Sequence, residues 1–343
     1  MVQMNRIYLD YAATTPVDPR VVDAMGPYFS GIFGNASSVH SFGRDAKAAL
    51  EESREKLALV AGARGSEIYF TSGGTESDNA ALFGVASKLS ANEKRHLVIS
   101  SIEHHAVMHA AEALKKKGFS LTILPVDSSG FVSSDEFRNA ITEKTFLVSI
   151  IHANNEIGTI QNLLELVRIA HDRGVLFHTD AVQSFGKMRF DMQDYAVDLA
   201  TFTAHKIFGP KGIGALYIKR GIDFEPILHG GSQERNRRPG TESIPLAVGF
   251  AKAAELATDE LESEQSRCSK LNLSMREKIL RDVPGVIFNS PVENSLPNVL
   301  NVSLDSNEVE IDGEALIINM DLEGIAVTSG SACSSGRFSI CQV

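Results

Sequence analysis

The sequence is poor in cysteine, in basic charge and in long apolar runs, and each shortage excludes a class of protein. Its three cysteines, Cys268, Cys333 and Cys341, are too few and too scattered for a disulfide framework or a zinc cluster, which leaves core packing or thiol chemistry for each. Lys and Arg total 33 against 43 Asp and Glu, and this net charge of -10 argues against a general nucleic-acid or membrane-surface role. No uninterrupted apolar run reaches the roughly 18 residues that a membrane span needs.

Size and composition predict a globular protein with more than one domain. The chain has 343 residues, 43% of them hydrophobic and 22% charged, which is enough for a sizeable core and favours one large domain plus a smaller one. The first residues, MVQMNRIYLDYAATTP, lack a basic segment followed by an apolar one, so no targeting segment is predicted. We therefore expect a cytoplasmic protein.

Seven short apolar, β-branched runs alternate with amphipathic stretches from residue 67 onward. The runs are nearly continuous rather than alternating, which is typical of strands covered on both faces, so they predict an α/β fold with a mostly parallel sheet. The last run follows a loop too short to hold a crossover helix, and we expect it to be an antiparallel edge strand. The seven runs are EIYFT, HLVISS, LTILPV, FLVSII, VLFHT, DLATFT and ALYIK.

Helical periodicity separates these strands and extends beyond them. Residues 45–60 and 105–117 are predicted helices, the second ending at Gly118. Residues 244–280 are long and charged, and they predict a connecting helix that leaves the large domain. The runs GVIFNS, VLNVSL and EALIINMDLEGIAV then predict two strands and a helix of the smaller domain.

Polar residues follow five of the predicted strands, and ligands of open parallel sheets bind beyond the carboxyl ends of the strands. The first strand is followed by TSGGTES, a glycine-rich turn whose backbone N–H groups and Thr75 hydroxyl could hold a phosphate, or which is an ordinary strand-to-helix turn. Helix capping would explain a polar residue after any single strand. Five such strand ends at one edge of the sheet predict a ligand-binding site. The other four ends are EHH at 103–105, NNE at 154–156, DAVQ at 180–183 and AHK at 204–206.

One cofactor needs all the groups found at these ends. Pyridoxal phosphate requires a lysine for its Schiff base, a carboxylate for its ring nitrogen, an aromatic or imidazole face, and a helix N-terminus for its phosphate. Lys206 follows directly after a strand and precedes the turn formers Gly209, Pro210 and Gly212. We therefore predict Lys206 as the Schiff-base amine and then as a base.

Ten motifs occur in order along nearly the whole chain, from Tyr8 to Gly336: LDYAATTP, FGNASSVHSFG, TSGGTESDN, IEHHAV, NNEIGTIQ, HTDAVQSFGK, TAHKIFGPKGIGALY, RRPGTES, LPNVLNVS and SGSACSSG. Together they resemble those of the cysteine desulfurases of the NifS/IscS-like class, which are fold-type I pyridoxal phosphate enzymes. The resemblance implies a large domain, residues 15–255, with a mostly parallel seven-stranded sheet, and a smaller α+β domain, residues 1–14 and 256–343.

The resemblance also implies a role for individual residues in binding pyridoxal phosphate and L-cysteine. Lys206 is the Schiff-base lysine, Asp180 faces the pyridine nitrogen, and His104 stacks on the ring. Because Thr241 reaches in from the partner subunit, a homodimer is expected. The remaining implied contacts are Gln183 and Asn155 for the ring hydroxyl, Gly74, Thr75, Thr203, His205 and Thr241 for the phosphate, and Asn35 and Asn155 for the substrate.

Cys333 is the predicted second chemical centre. The small and polar residues of SGSACSSG indicate the exposure and mobility that a nucleophilic thiolate needs, whereas Cys268 and Cys341 are interpreted as packing residues. The resemblance implies that Lys206 removes the alpha proton of L-cysteine and that Cys333 takes the sulfur as a persulfide while L-alanine leaves. His104 is a candidate acid and base. The sulfur is then expected to pass to an iron-sulfur scaffold or a tRNA-thiolation enzyme.

Some of these residues also allow other interpretations. His105 and His109 have the i, i+4 spacing of a helical metal site, but no third ligand in a recognisable spacing accompanies them. The basic run RNRR at 235–238 suggests either RNA or a phosphate-facing or dimer-contact loop, and the acidic surroundings favour the loop. Aminotransferases and selenocysteine lyases share the expected architecture, and Cys333 favours desulfuration over transamination.

The end of the chain departs from the pattern that it resembles. Family members continue past the cysteine loop and include an arginine that pairs with the substrate carboxylate, whereas GRFSICQV does not resemble that segment. Arg337 is the only basic residue after Cys333. We therefore expect an incomplete small domain, retained cofactor binding and impaired affinity for cysteine. A catalytically weak homologue that acts as a cofactor-binding or scaffold subunit is the corresponding alternative.

Overall fold

A seven-stranded sheet forms the centre of the protein. The computed structural model describes residues 6–89, 94–305, 307–308 and 312–329. The strands of the sheet lie in the order β2-β8-β7-β6-β5-β3-β4, and two pairs of short strands lie outside it. The strands are β1 Ile7–Tyr8, β2 Ile68–Thr71, β3 His96–Ser100, β4 Ser120–Leu124, β5 Thr145–Ser149, β6 Leu176–Asp180, β7 Leu199–Thr203, β8 Gly214–Ile218, β9 Val286–Phe288, β10 Val302–Leu304 and β11 Ile325–Ala326.

The seven predicted strands are confirmed, but the place of the last one is wrong. Neighbours from β7 through β6, β5 and β3 to β4 pair in parallel, as expected. β8 is antiparallel, yet it lies between β7 and β2 rather than at the edge. The short connection after β7 lets β8 turn back and pair with β7 on the side that faces away from β6. β2 then pairs with the other side of β8, and all five residues of β8 are buried.

Helices cover both faces of the sheet. On one face α4 and α5 pack over the side chains of Leu97 and Ile99. On the other face α3, α6, α7 and α10 pack over Val98 and Phe177. The helices are α1 Pro19–Met25, α2 Pro27–Ser30, α3 Ser41–Ala61, α4 Gly74–Ala86, α5 His105–Lys116, α6 Ser134–Ala140, α7 Leu163–His171, α8 Met192–Tyr195, α9 Gln233–Asn236, α10 Ile244–Asp259, α11 Leu261–Asp282 and α12 Gly313–Leu322.

The structure divides the helix predicted over residues 244–280 into α10 and α11. The break falls at Glu260, which accepts a 2.6 Å hydrogen bond from Arg20 just after the N-terminus of α1. α10 packs its apolar face on α3, whereas α11, which is described in full, buries none of its 22 residues. The two halves therefore have different environments, which a single periodic pattern did not reveal.

The beginning of the chain meets its C-terminal region. β1 pairs in parallel with β11, and the Leu9 N–H continues the pairing to the Ala326 carbonyl at 2.9 Å. β9 and β10 form an antiparallel pair, so the predicted strands and helix beyond residue 285 are present. The domain boundaries at 15 and 255 stay predictions. In the described ranges, no helix is both long and apolar enough to cross a membrane.

A buried ion pair joins α3 to the short element α9, whose dihedral angles depart from those of a helix. The Arg54 guanidinium donates to both oxygens of Glu234, at 2.6 and 2.8 Å, and the Phe70 N–H donates to Glu234 as well. Glu234, Arg235 and Asn236 have φ values of 46°, 54° and 62°, a left-handed conformation that is unfavourable for side chains larger than glycine. The ion pair therefore holds a strained turn against the sheet.

We predict that Glu234→Ala lowers the free energy of unfolding by about 3–5 kcal/mol, because it removes the buried carboxylate that pairs with Arg54 and leaves only the exposed Glu51, at 3.3 Å, as its ionic partner. Urea denaturation followed by circular dichroism measures the change in midpoint. The matched control is Glu262→Ala, which breaks the exposed pair with Arg189 and should cause no measurable loss. Equal losses in the two variants would contradict this account.

Candidate active site

The carboxyl ends of the parallel strands bring the predicted residues to one edge of the sheet. Asp180 is the last residue of β6, Lys206 follows β7 by three residues, and His104 caps the N-terminus of α5 after β3. A nitrogen of His104 and an oxygen of Asp180 lie within 4.8 Å of each other, and the charge of Lys206 acts on both groups. Three of the five predicted strand ends therefore meet at this edge.

Lys206 is held by main-chain oxygens. Its ammonium donates to the Ala12 carbonyl at 2.5 Å and to the Ala13 carbonyl at 2.7 Å. Burial lowers its pKa, while Asp180 and Asp10 act in the opposite direction. A lysine with a lowered pKa more readily supplies the neutral amine that attacks a carbonyl group.

Asp180 is a buried carboxyl group that accepts a hydrogen bond from the main chain. It is 4% exposed, and its Oδ1 accepts a 2.9 Å hydrogen bond from the Val182 N–H. Burial raises its pKa to about 6, against the lowering effects of Val182 and Lys206. Such a carboxylate, in a place of low polarity, attracts a positively charged ring nitrogen more strongly than an exposed one does.

Gln183 is oriented by a lysine that the sequence analysis did not single out. Lys187 donates to Gln183 Oε1 at 2.8 Å, which leaves Nε2 to donate, and it does so to the Ala12 carbonyl at 3.0 Å. Burial, and to a smaller extent the positive charge of Lys206, lowers the pKa of Lys187 to about 7. Gln183 and Lys206 therefore share the Ala12 carbonyl as an acceptor.

His104 has a defined tautomer when it is neutral. Its Nδ1 accepts a 3.2 Å hydrogen bond from the Ala106 N–H, so the proton of the neutral ring is on Nε2. Burial and then Lys206 lower its pKa, which favours that neutral form. The ring can therefore donate a proton from Nε2 and take one back.

The N-terminus of α4 offers a place for a phosphate. Within the described residues no side chain caps this helix, whose N-cap is Gly73. A Cβ built on Gly73 meets nothing within 4 Å, so there is open space beside this N-cap residue, which precedes Gly74 and Thr75. Free backbone N–H groups at a helix N-terminus bind anions, so the residues present fit a phosphate group.

Two further predicted phosphate contacts already have partners. The Thr203 hydroxyl donates to the Ile213 carbonyl at 3.1 Å, and Thr203 is 2% exposed. His205 Nδ1 lies 3.1 Å from the Thr14 hydroxyl, and burial followed by Lys206 lowers its pKa to about 4. His205 is therefore neutral at physiological pH and offers a phosphate a hydrogen bond rather than a charge.

The other predicted residues lie on three separate loops. Asn155 is half-buried in the turn after β5. Asn35, between α2 and α3, is exposed and accepts from the Ser37 N–H at 2.8 Å. Thr241 lines a cavity of about 170 Å³ together with Ser72 and Arg238. In the described part of the chain, none of these three residues forms a hydrogen bond with Lys206, Asp180 or His104.

Sequence reasoning missed several groups at this edge. Asp78, in α4, is 1% exposed, and one of its oxygens lies within 4.8 Å of an Asp180 oxygen and a His104 nitrogen. The signal that could have found it is an acid on the buried face of a helix, next to Ser77 and Ala81. The Ala12 and Ala13 carbonyls carry no such signal, because the main chain is the same in every residue.

The competing readings can be compared with the structure. The rings of His105 and His109 stack edge to face, with centroids 5.1 Å apart. Members of the basic run bind within the chain: Arg235 to the Gly65 carbonyl, Arg237 to the Phe224 carbonyl, and Arg238 to Glu76 at 2.9 Å. These contacts favour a structured loop over an RNA-binding surface.

The predicted thiol centre lies beyond the described part of the chain. Cys333, Cys341 and Arg337 fall outside the described residues. Cys268 is half-buried on α11, and burial raises the pKa of its thiol, which suits a packing residue better than a nucleophile.

Comparison with known proteins gives consistent results. A family model for aminotransferase class-V matches residues 7–343. The cysteine desulfurase IscS of Dictyoglomus turgidum is 47% identical over 96% of this chain and 83% of its own length, and that of Methanosarcina thermophila is 46% identical over 96% and 80%. Among solved structures, a NifS-like protein superposes with a TM-score of 0.88 at 41% identity, covering 95% of this chain and 88% of its own. SspA in complex with cysteine has a TM-score of 0.82 at 35% identity, covering 96% and 90%.

We predict that acid destabilises the protein through His152, whose backbone N–H donates to the Asp180 carbonyl at 2.9 Å. Burial against Phe190 and Tyr195 lowers its pKa to about 3, so the unfolded chain binds a proton below about pH 6.5 that the folded chain does not. The free energy of unfolding then falls with falling pH by at most about 1.4 kcal/mol per unit from this group.

His152→Phe should make that decline shallower in urea titrations across the acidic range. Above about pH 7.5 both forms are uncharged at this position, so the two proteins should differ there only by a constant, which serves as the internal control. Parallel stability curves at all pH values would contradict the assignment.

Proposed function

This chain belongs to the class-V aminotransferase family, and we propose that it acts within that family as a pyridoxal phosphate-dependent cysteine desulfurase. Relatives named cysteine desulfurase IscS, 44–47% identical over 96–97% of the chain, support the reaction. The observation that carries the site is the meeting of Lys206, Asp180 and His104 at one sheet edge, beside the uncapped N-terminus of α4. These residues fit the groups that the cofactor presents.

The chain would hold its cofactor through residues at the ends of three strands, β2, β6 and β7. Lys206 would be the covalent attachment point, the Asp180 carboxylate would pair with the ring nitrogen, and the Gln183 amide would donate to the ring hydroxyl. The first turn of α4, with Gly74 and Thr75, would receive the phosphate. When bound, pyridoxal phosphate acts as a sink for the electron pair that remains when a bond at the alpha carbon of an amino acid breaks.

Lys206 and His104 then move the protons. As a free amine, Lys206 would take the alpha proton of L-cysteine, which its lowered pKa allows. His104, with its proton on Nε2, is suited to protonate and deprotonate the substrate. Asn155 and Asn35 are proposed to orient the substrate from the loops that carry them.

The sulfur leaves through Cys333. Its thiolate attacks the substrate sulfur, so that a sulfur–sulfur bond forms while the carbon–sulfur bond breaks. The electron pair of the broken bond stays with carbon, which takes up a proton, and L-alanine departs. The persulfide on Cys333 is then available to an acceptor, for which an iron-sulfur scaffold or a tRNA-thiolation enzyme is proposed. The relatives' names do not favour transamination, selenocysteine cleavage or a scaffold role.

The protein is proposed to act as a cytoplasmic homodimer. Residues 29–42 expose three aromatic side chains, Phe29, Phe33 and Phe42, to 63%, 65% and 55%. Exposed apolar clusters of this kind mark surfaces that bind another protein. A second chain on this surface is proposed to bring Thr241 to the phosphate of the partner's site.

We predict that Lys206→Ala and Cys333→Ala fail at different points. Lys206→Ala should lose the visible absorbance of covalently bound pyridoxal phosphate, because its side chain supplies the only proposed attachment. Cys333→Ala should keep that absorbance and lose the release of alanine and sulfide from L-cysteine. The measurements are an absorbance spectrum of each purified variant and a quantitative assay of both products.

The matched control is Lys211→Ala, which removes a lysine five positions away and should behave like the wild type. Retained absorbance in Lys206→Ala would refute the assignment of the lysine. Unchanged product release in Cys333→Ala would refute the persulfide step while leaving the cofactor site intact.

Mixed dimers test whether Thr241 acts across the interface. A dimer of one Lys206→Ala chain and one Thr241→Val chain has one site with both defects and one with neither if Thr241 serves the partner's site. Mixing the two variants should therefore create sites that retain cofactor as tightly as the wild type, measured by its rate of dissociation. If Thr241 serves its own chain, no site of wild-type strength appears.

A further inference from the structure

A second carboxyl group lies behind the proposed ring-binding carboxylate. Asp78 is 1% exposed and faces Asp180 from α4, with oxygen atoms of the two residues within 4.8 Å of each other. Oδ1 of Asp78 has no hydrogen-bond partner among the described residues although it is buried. A buried polar atom without a partner is costly, so its chemical state requires an explanation.

The groups that face Asp78 from the neighbouring elements are acids, neutral imidazoles and a hydroxyl. β6 contributes Asp180 and His178, β7 contributes the Thr201 hydroxyl, and the segment between β3 and α5 contributes Glu103 and His104. In the described ranges no lysine or arginine forms an ion pair with Asp78.

The imidazole nearest to Asp78 supplies no charge either. His178 Nε2 lies 3.7 Å from Asp78 Oδ1 and 3.1 Å from the Thr201 hydroxyl. Burial lowers the pKa of His178 to about 3, so the ring is neutral.

Two neighbouring buried carboxyl groups oppose each other's ionisation, and their environments decide which one carries the charge. Asp180 has the Val182 N–H on Oδ1 and the ammonium of Lys206 nearby, and both favour its carboxylate form. Asp78 has neither. Burial, and then the charge of Asp180, raise the pKa of Asp78 well above its ordinary value.

We propose that Asp78 is a positioning residue that keeps its own proton and thereby leaves the Asp180 carboxylate as the single anion facing the ring nitrogen of the cofactor. This inference deepens the proposed function and rests on the role given there to Asp180. The neutral Asp78 excludes water from the far side of Asp180 without adding charge. Asp180 therefore stays in surroundings of low polarity, where it binds the protonated ring nitrogen most strongly.

The protonation of Asp78 is measurable without any reaction. A buried acid that keeps its proton when folded releases it on unfolding above about pH 4, so its contribution to stability is lost as the pH rises toward its folded pKa. At neutral pH the wild type should therefore release about one more proton on unfolding than Asp78→Asn, as obtained from the pH dependence of urea unfolding of the full chain.

Glu103→Gln is the positive control for that measurement. Burial raises the pKa of Glu103 to about 8, so this variant should also remove about one proton from the count. Equal proton release in the wild type and Asp78→Asn, with the expected change in Glu103→Gln, would overturn the proposal.

Cofactor binding tests the positioning role. Asp78→Ala admits water beside Asp180 and should weaken binding of pyridoxal phosphate about tenfold, whereas the neutral, isosteric Asp78→Asn should restore it to within about threefold of the wild type. If Asp78→Ala does not fold, Asp78→Ser takes its place. Equal weakening in the Asn and Ala variants would mean that a carboxylate is required, which contradicts the proposal.

Asp180→Asn separates this inference from the proposed function. If this variant binds pyridoxal phosphate as tightly as the wild type, Asp180 does not serve the ring nitrogen and the proposed function fails at that residue. The proton count of Asp78→Asn is measured without the cofactor as well, so it reports the state of Asp78 in either case.

Discussion

The direction of the strands is the constraint on which the rest of this structure depends. β3, β5, β6 and β7 run in parallel, so residues far apart in the sequence end at the same edge of the sheet. Each strand alone contributes one polar end, and none of them constitutes a site. The parallel arrangement requires helices on both faces, and α4 thereby brings its N-terminus to the edge where Asp180 and Lys206 lie.

Burial then gives each group at this edge a different charge state. His178 and His205 are neutral because desolvation lowers their pKa to about 3 and about 4. Asp180 and Glu103 are shifted upward by the same cause. The site is therefore tuned mainly by the cost of removing charges from water, with Lys206 as the nearby cation that reduces that cost for Asp180.

Much of this arrangement could be predicted from the sequence. The seven strands and the residues at their ends were predictable because continuous apolar runs report burial on both faces, and motifs placed Lys206, Asp180, Gln183 and His104 together. The position of β8 between β7 and β2 was not, since strand order depends on long-range pairing. Nor was the break at Glu260, because α10 and α11 share one helical pattern and differ only in what they contact. Asp78 was missed because the sequence of α4 does not show that this acid faces Asp180 on another element.

The main-chain hydrogen bonds of Lys206 have a consequence for how this site tolerates mutation. Its acceptors are the carbonyls of Ala12 and Ala13, in a segment that follows directly from the strand pairing of β1 with β11. A main-chain oxygen is present whatever side chain the residue carries, so a point mutation at either position does not delete it. These acceptors depend on the path of the backbone and not on the identity of residues 12 and 13. A change that shifts this path, such as an insertion or deletion before residue 12, would remove them from Lys206.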